Sequence, residues 1–308
     1  MAALAVRSKK ARLWLDVPGG YNFLAMCKGY RWVKYPPFRM NISKESLAYV
    51  HDLGTTVCRS VTSFNGRRLE VEIESEHLLD PEERNLLIIQ LRRIYSLHWN
   101  LKSFHKLLSK EKEFSWIAKQ RLGWFLRSAS FFEDIVKMLL SVNCTREQTQ
   151  EMTVNLVQEL GKPLSAKSPY HAFPTPEMIL KAGVNVLRQR IKSGYRSQSI
   201  AEAAHRFSKG EFQEGELVNL STLEVRKRLL TLRGLDSLFL RQLMLFQGRF
   251  DDLSTDGMHA PSDGKLLPSL TPRPLLIQAM YRKWGEWQGL VAWFDLDETK
   301  NSPEMVGN

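Results

Sequence analysis

Over residues 1–100 the apolar positions tend to fall on every second residue. Leu13–Val17 is closed by Pro18-Gly19-Gly20, and the alternating run Tyr30–Tyr35 is stopped by Pro36-Pro37. Thr55–Thr62 and Arg68–Ile73 are rich in β-formers, and Asn65-Gly66 between them reads as a hairpin turn. A period of two predicts an antiparallel β region. The period then changes. Asp80-Pro81-Glu82-Glu83 reads as a helix start, with Asp as cap and Pro at the first position. From there to about residue 294 the spacing is helical. Phe131–Leu140 predicts one buried helix, and Thr145–Leu160, ended by Gly161, a second. Thr175-Pro176-Glu177 opens a third; Ile200–Phe207, Thr222–Leu232, Leu238–Gln247 and Thr271–Trp293 supply the rest. The expectation is an α+β chain, with an N-terminal antiparallel β-rich domain over 1–100, a mainly α-helical domain over 101–297 and a polar tail over 298–308.

Composition narrows the function classes. Apolar residues make up 43% of the 308, enough for a core. A mean hydropathy of −0.30 excludes a polytopic membrane protein. The most apolar stretches, such as Phe131–Val142, carry charge and are too short to span a bilayer. The apolar start, Met-Ala-Ala-Leu-Ala-Val, is too short for a secretory core, and its charge follows instead of preceding it. A soluble intracellular protein is expected. The three cysteines, Cys27, Cys58 and Cys144, form no CxxC pair and cannot supply a four-cysteine zinc site or iron–sulfur cluster. Seven scattered histidines contain no HxxxH pair, so no metal or cofactor is expected. Lys and Arg number 44 against 33 Asp and Glu, a net charge of +11. That excess points to nucleic acid as partner, with a generally basic surface as the plain alternative.

Val225–Asp256 carries the first candidate chemistry. A basic amphipathic helix ends at Leu232, a tight turn Arg233-Gly234-Leu235-Asp236-Ser237 follows, and a second helix begins at once. A glycine turn into a helix start exposes backbone N–H groups that suit a phosphate. Arg226, Lys227, Arg228, Arg233 and Arg241 surround it. An ordinary αα-hairpin with solvated arginines has the same pattern. After the second helix come Asp251-Asp252, read as a solvated loop, and Leu253-Ser254-Thr255-Asp256.

This hairpin, helix and Thr-Asp lip resemble the helix–hairpin–helix DNA glycosylases. Asp256 matches the catalytic aspartate of that family. Leu238, 18 residues earlier, stands where lyase-competent members carry lysine. Phe132–Met152 resembles the family's helix–turn–helix, in which Asn143 matches the asparagine that fills the gap left by an extruded base. Gly194-Tyr195-Arg196 is similar to a family motif whose tyrosine wedges into the base stack and whose arginine faces the orphaned base. Gly29-Tyr30-Arg31-Trp32 and the β-rich N-terminus are similar to the 8-oxoguanine and alkyladenine branches. The resemblance spans residues 10 to 294.

It implies a monofunctional glycosylase acting on an oxidised or alkylated purine in duplex DNA. Asp256 would be catalytic, and Asn143, Tyr195, Arg196, Arg233, Gly234, Leu235, Asp236 and Ser237 would bind DNA. Leu238 and His259 would face the base pocket. It further implies base excision repair as a monomer, located with the DNA. A carboxylate suits this chemistry because positive charge builds on the deoxyribose as the N-glycosidic bond breaks. Other readings of the same residues stay open: Asp256 and Asn143 as helix caps, Tyr195 as a half-buried loop aromatic, and His259 as a polar loop residue. Two departures favour an alternative, a catalytically weakened or inactive DNA-binding homologue. Leu238 has no amine, and Asp236 replaces the second glycine of the usual hairpin and sets a negative charge near phosphate.

Overall fold

The computed structural model describes residues 9–29, 31–235, 237–253 and 278–296, with the backbone alone at Arg31, Ser237 and Leu238. Tyr30, Asp236, the 254–277 segment with Asp256 and His259, and the tail over 298–308 lie outside the described residues. The chain forms two compact units, Met1–Asn100 with Trp124–Glu211, and Leu101–Gly123 with Phe212–Asn308. The chain leaves the first unit after Asn100, returns to it at Trp124 and leaves it again after Glu211.

The first unit holds a five-stranded antiparallel sheet. Its strands are β1 (Lys9–Asp16), β2 (Arg39–Asn41), β3 (Ser46–Asp52), β4 (Val57–Phe64) and β5 (Arg68–Ser75), in the order β1-β5-β4-β3-β2. β5 shows the period plainly. Leu69, Val71 and Ile73 are buried, while Glu70, Glu72 and Glu74 lie on the other face. The β4–β5 hairpin turns at Asn65-Gly66 as expected. Gly66 sits at φ +89, and Asn65 Oδ1 accepts from the Arg67 and Arg68 amides, both at 3.0 Å.

Tyr30–Tyr35 departs from the expected strand. Arg31–Lys34 is a 3-10 turn, preceded by a short helix α1 (Phe23–Lys28) capped by Asn22. Trp32, Val33 and Tyr35 are all buried. A strand would send Trp32 and Val33 to opposite faces; the 3-10 turn buries both.

Helix α2 (Pro81–Ile94) starts as its sequence predicts, with Asp80 and Glu83 forming a capping box. Helix α5 (Phe131–Ser141) is the centre of the unit and is buried from Phe131 through Leu140. Three charges on such a helix require partners. Asp134 pairs with Arg93 at 2.8 Å, and Glu133 pairs with Lys137 at 2.6 Å while accepting from the Tyr49 hydroxyl. The Lys137 ammonium also faces the rings of Trp32, Phe38 and Phe173 at 5.4, 4.8 and 5.7 Å. Burial pushes the Glu133 carboxyl above its ordinary range, against the pull of Lys137.

On β3, His51 is fully buried between Gln90 Oε1 and Ser60 Oγ, each at 2.8 Å. Burial pushes its imidazole down to about 4. The unfolded chain therefore takes up a proton below about pH 6.5 that the folded chain refuses until about pH 4. Stability is full above that window and falls with pH inside it. Between pH 7.5 and pH 5 the protein should lose about 2 kcal/mol more than a His51→Gln variant does. Urea titrations of both proteins at the two pH values measure the difference, and parallel losses would show that His51 does not titrate on unfolding.

The remaining helices of the first unit are α6 (Arg146–Leu160), α7 (Pro176–Gln189, broken at Gly183) and α8 (Arg196–Ser208). Gly161 follows α6 with φ −77, so it is not a left-handed cap. Glycine is needed there because a Cβ would lie 2.0 Å from the Ala172 carbonyl oxygen. The second unit contains α3 (Lys102–Leu108), α4 (Ser115–Lys119), α9 (Glu214–Leu217), α10 (Thr222–Leu230), α11 (Ser237–Phe246), a 3-10 segment Arg282–Trp287 and α12 (Gln288–Leu296). Its core is aromatic. Trp287 packs on Phe104 and Phe250, and Trp284 on Phe114.

No helix among the described residues is long and apolar enough to cross a membrane. The architecture is α+β, an antiparallel sheet followed by mainly helical segments.

Candidate nucleic-acid interface

The first unit brings Asn143, Tyr195 and Arg196 together at the end of α5. That helix ends at Val142 in extended backbone, leaving carbonyls without helical donors. Asn143 follows in the left-handed region at φ +50, which asparagine tolerates better than most residues. The cap of α6 is Thr145, which forms a capping box with Gln148. Asn143 is therefore free of the capping role and stands exposed.

The Gly194-Tyr195-Arg196 motif crosses this corner. Gly194 takes φ +56, where a side chain would be strained. The Ser197 hydroxyl donates to the Gly194 carbonyl at 2.6 Å, and the Ser193 hydroxyl donates to Leu187 at 2.8 Å. Tyr195 then projects outward with 64% of its surface exposed. Arg196 turns inward and is 9% exposed. Its Nε donates to the Val142 carbonyl at 2.9 Å; its Nη2 donates to the same carbonyl and to that of Asn143 at 3.2 Å. The guanidinium lies 4.4 Å from the Tyr195 ring centre.

The hairpin belongs to the second unit. Helix α10 is set by a Ser221–Glu224 capping box and buries Val225 and Leu229. Arg233 and Gly234 are exposed on the turn, Gly234 at φ +86, and Leu235 is half-buried. Ser237 and Leu238 are the first two residues of α11. The basic surround is thinner than the sequence implies. Arg226 is paired with Asp252 at 3.2 Å, Arg228 with Glu216 at 3.6 Å, and Arg241 is buried with its guanidinium 5.5 Å from the Trp293 ring. Lys227 and Arg233 remain exposed.

Asp252 is not solvated as the sequence implies. It is 6% exposed, and burial raises its carboxyl against the pull of Arg226. It belongs to an anchor for the segment leading to position 256. The Phe250 ring stacks on Trp287 at 5.5 Å, and the Phe250 carbonyl accepts from the Gly289 amide at 2.7 Å. A Cβ on Gly289 would lie 2.2 Å from the Asp252 carbonyl oxygen, so only glycine allows this approach. The sequence signal for the anchor is faint, a lone glycine following Trp-Gln. Among the described residues, no group of His, Cys, Asp and Glu could hold a metal ion.

The sequence matches no known family model and no curated protein. Solved structures do match. MBOgg1 in complex with a low-affinity DNA ligand is 21% identical, covers 92% of this chain and 95% of its own, and superposes with a TM-score of 0.68. The 8-oxoguanine glycosylase/lyase of Clostridium acetobutylicum is 16% identical over 94% and 96% of the two chains, and the 3-methyladenine DNA glycosylase of Archaeoglobus fulgidus 17% identical over 92% and 96%, each with a TM-score of 0.68. The chain therefore has the fold of the 8-oxoguanine and 3-methyladenine DNA glycosylases, the helix–hairpin–helix architecture that its motifs resemble.

Proposed function

We propose that the protein is a monofunctional DNA glycosylase that hydrolyses the N-glycosidic bond of an oxidised or alkylated purine in duplex DNA. The observation that carries this reading is the hydrogen-bonded corner on which Asn143 and Tyr195 stand exposed. Extruding a base costs a few kcal/mol in stacking and pairing, and an inserted side chain recovers part of it. An exposed tyrosine and asparagine on a braced turn suit that task.

In this reading the turn Arg233-Gly234-Leu235-Asp236-Ser237 offers its backbone amides to a phosphate, and Leu238 and His259 face the extruded base. Asp256 stabilises the positive charge that develops on the sugar and orients the attacking water. Leucine at 238 has no amine for a Schiff base, so strand scission does not follow from that position. The protein works as a monomer, without metal or cofactor, wherever the DNA is.

The test is a panel of duplexes, each with one damaged purine, incubated with protein and treated with hot alkali. Alkali-dependent breaks at one or more lesions are expected, with no breaks before alkali and no borohydride-trapped adduct on an abasic duplex. A strong adduct would defeat the monofunctional assignment. A second reading, a lesion-binding protein without catalysis, is favoured by Leu238 and by the carboxylate of Asp236. Its result would be salt-sensitive, lesion-selective gel shifts with no breaks on any duplex.

A further inference from the structure

The family motif would turn Arg196 toward the orphaned base, but here its Nε and Nη2 are engaged inside the protein. We infer that Arg196 is a positioning residue: it clamps the corner that presents Asn143 and Tyr195 as a preformed plug, and it does not read the base opposite the gap. The inference rests on the glycosylase reading for its DNA consequence, but not for the clamp itself.

Three features point the same way. The guanidinium bonds the carbonyls of Val142 and Asn143 and is almost wholly covered, whereas Tyr195 beside it is mostly exposed. It supplies donors at the C-terminal end of α5, where carbonyls lack helical partners and a cation is favourable. It also lies against the Tyr195 ring and so fixes that ring relative to Asn143, whose left-handed backbone it holds through the bond to the Asn143 carbonyl. Turning Arg196 toward DNA would strip the donor from Val142 and release both plug residues together. Nε and Nη2 therefore cannot read a base while they hold the plug. A clamp that serves every gap alike leaves the opposite base unread by Arg196.

The replacement Arg196→Lys keeps the charge but loses the planar fork that serves two carbonyls at once. Two readouts are taken. In the protein alone, hydrogen exchange is followed at the Cys144 amide, which donates to the Ser141 carbonyl at 3.2 Å across the corner. Exchange there should rise in the variant while the melting temperature stays close to that of the unaltered protein. Unchanged exchange would overturn the clamp whatever the protein does with DNA.

In the second readout, both proteins bind duplexes containing a tetrahydrofuran abasic analogue opposite A, C, G or T, and an undamaged duplex. The unaltered protein should prefer the gapped duplexes equally, within about two-fold, whichever base lies opposite. Arg196→Lys should lose roughly ten-fold of that preference on all four alike, as Tyr195→Ala should, since each removes a stacked plug. Adding Tyr195→Ala to Arg196→Lys should cause little further loss, because the two act through one element. A preference of the unaltered protein for one opposite base that Arg196→Lys alone erases would overturn the inference. If the unaltered protein shows no preference for gaps, it is the glycosylase reading that fails, and the exchange result still decides the clamp.

Discussion

Asp256→Asn is expected to abolish base release while leaving affinity for DNA the same or slightly higher. The N-glycosidic bond breaks with positive charge spreading over the deoxyribose ring. A carboxylate next to C1′ is therefore worth most in the transition state, when that charge exists. Asparagine keeps the shape and hydrogen-bonding capacity but loses the charge. The loss should be about 1,000-fold or more in the single-turnover rate, or about 4 kcal/mol of barrier. If Asp256 has the proposed role, its carboxylate meets phosphate charge in the ground state, so removing it should relieve repulsion and not weaken binding. The approach to this position is built independently of its charge: Phe250 on Trp287, Asp252 on Arg226, and the close packing at Gly289 hold the chain up to Leu253. The substitution should thus leave the melting temperature unchanged. Single-turnover release from a lesion duplex, beside a binding titration, decides the matter. Release at the unaltered rate would remove Asp256 from the chemistry.

Lys137→Met should be the most destabilising single change among the buried charges of α5. Lys137 is wholly buried, and it is the cation beside the Glu133 carboxylate at 2.6 Å. Methionine fills similar volume among Trp32, Phe38 and Phe173 but leaves Glu133 charged and without its cation in an apolar setting. Breaking such a pair from one side costs about 3–5 kcal/mol, which lowers the melting temperature by roughly 10 °C in a chain of this size. The pH dependence identifies the cause. Glu133 is already held above its ordinary range by burial, and without Lys137 it rises further. A carboxyl whose folded value exceeds its unfolded one is stabilised at low pH and destabilised as pH rises through the folded value. The deficit of Lys137→Met should therefore shrink as pH falls from 8 towards 5. Pairing it with Glu133→Gln should recover part of the loss, because the uncompensated charge is then gone. A deficit that is constant with pH, and additive with Glu133→Gln, would mean that lost ring contacts are responsible and not the stranded carboxylate.

The sequence alone determined the features that are encoded locally. The β5 alternation, the Asn65-Gly66 hairpin and the Asp80 cap are each decided by residues within a few positions of one another, and the structure has them as read. The order of motifs likewise told the fold, because hairpin, helix–turn–helix and Gly-Tyr-Arg are short and fixed in spacing. What failed locally failed because the deciding partner was distant. Tyr30–Tyr35 alternates like a strand, but Arg31–Lys34 forms a 3-10 turn, with Trp32, Val33 and Tyr35 buried. Asp252 looks solvated next to Asp251, yet Arg226, far back in the chain, covers it. Five basic residues near the hairpin read as a phosphate cradle, and three of them are drawn into ion pairs or the core.

Arg196 is the sharpest case. Its place in the motif says that an arginine stands beside a tyrosine, and nothing in the neighbouring residues says which way the guanidinium points. The end of α5, more than fifty residues earlier, decides it. Carbonyls there have no helical donor, Arg196 is within reach, and its guanidinium covers them as it bonds them. Propensity and spacing act along the chain, so they are legible in it. The satisfaction of buried polar groups acts across space, and only the tertiary structure settles which charge meets which partner.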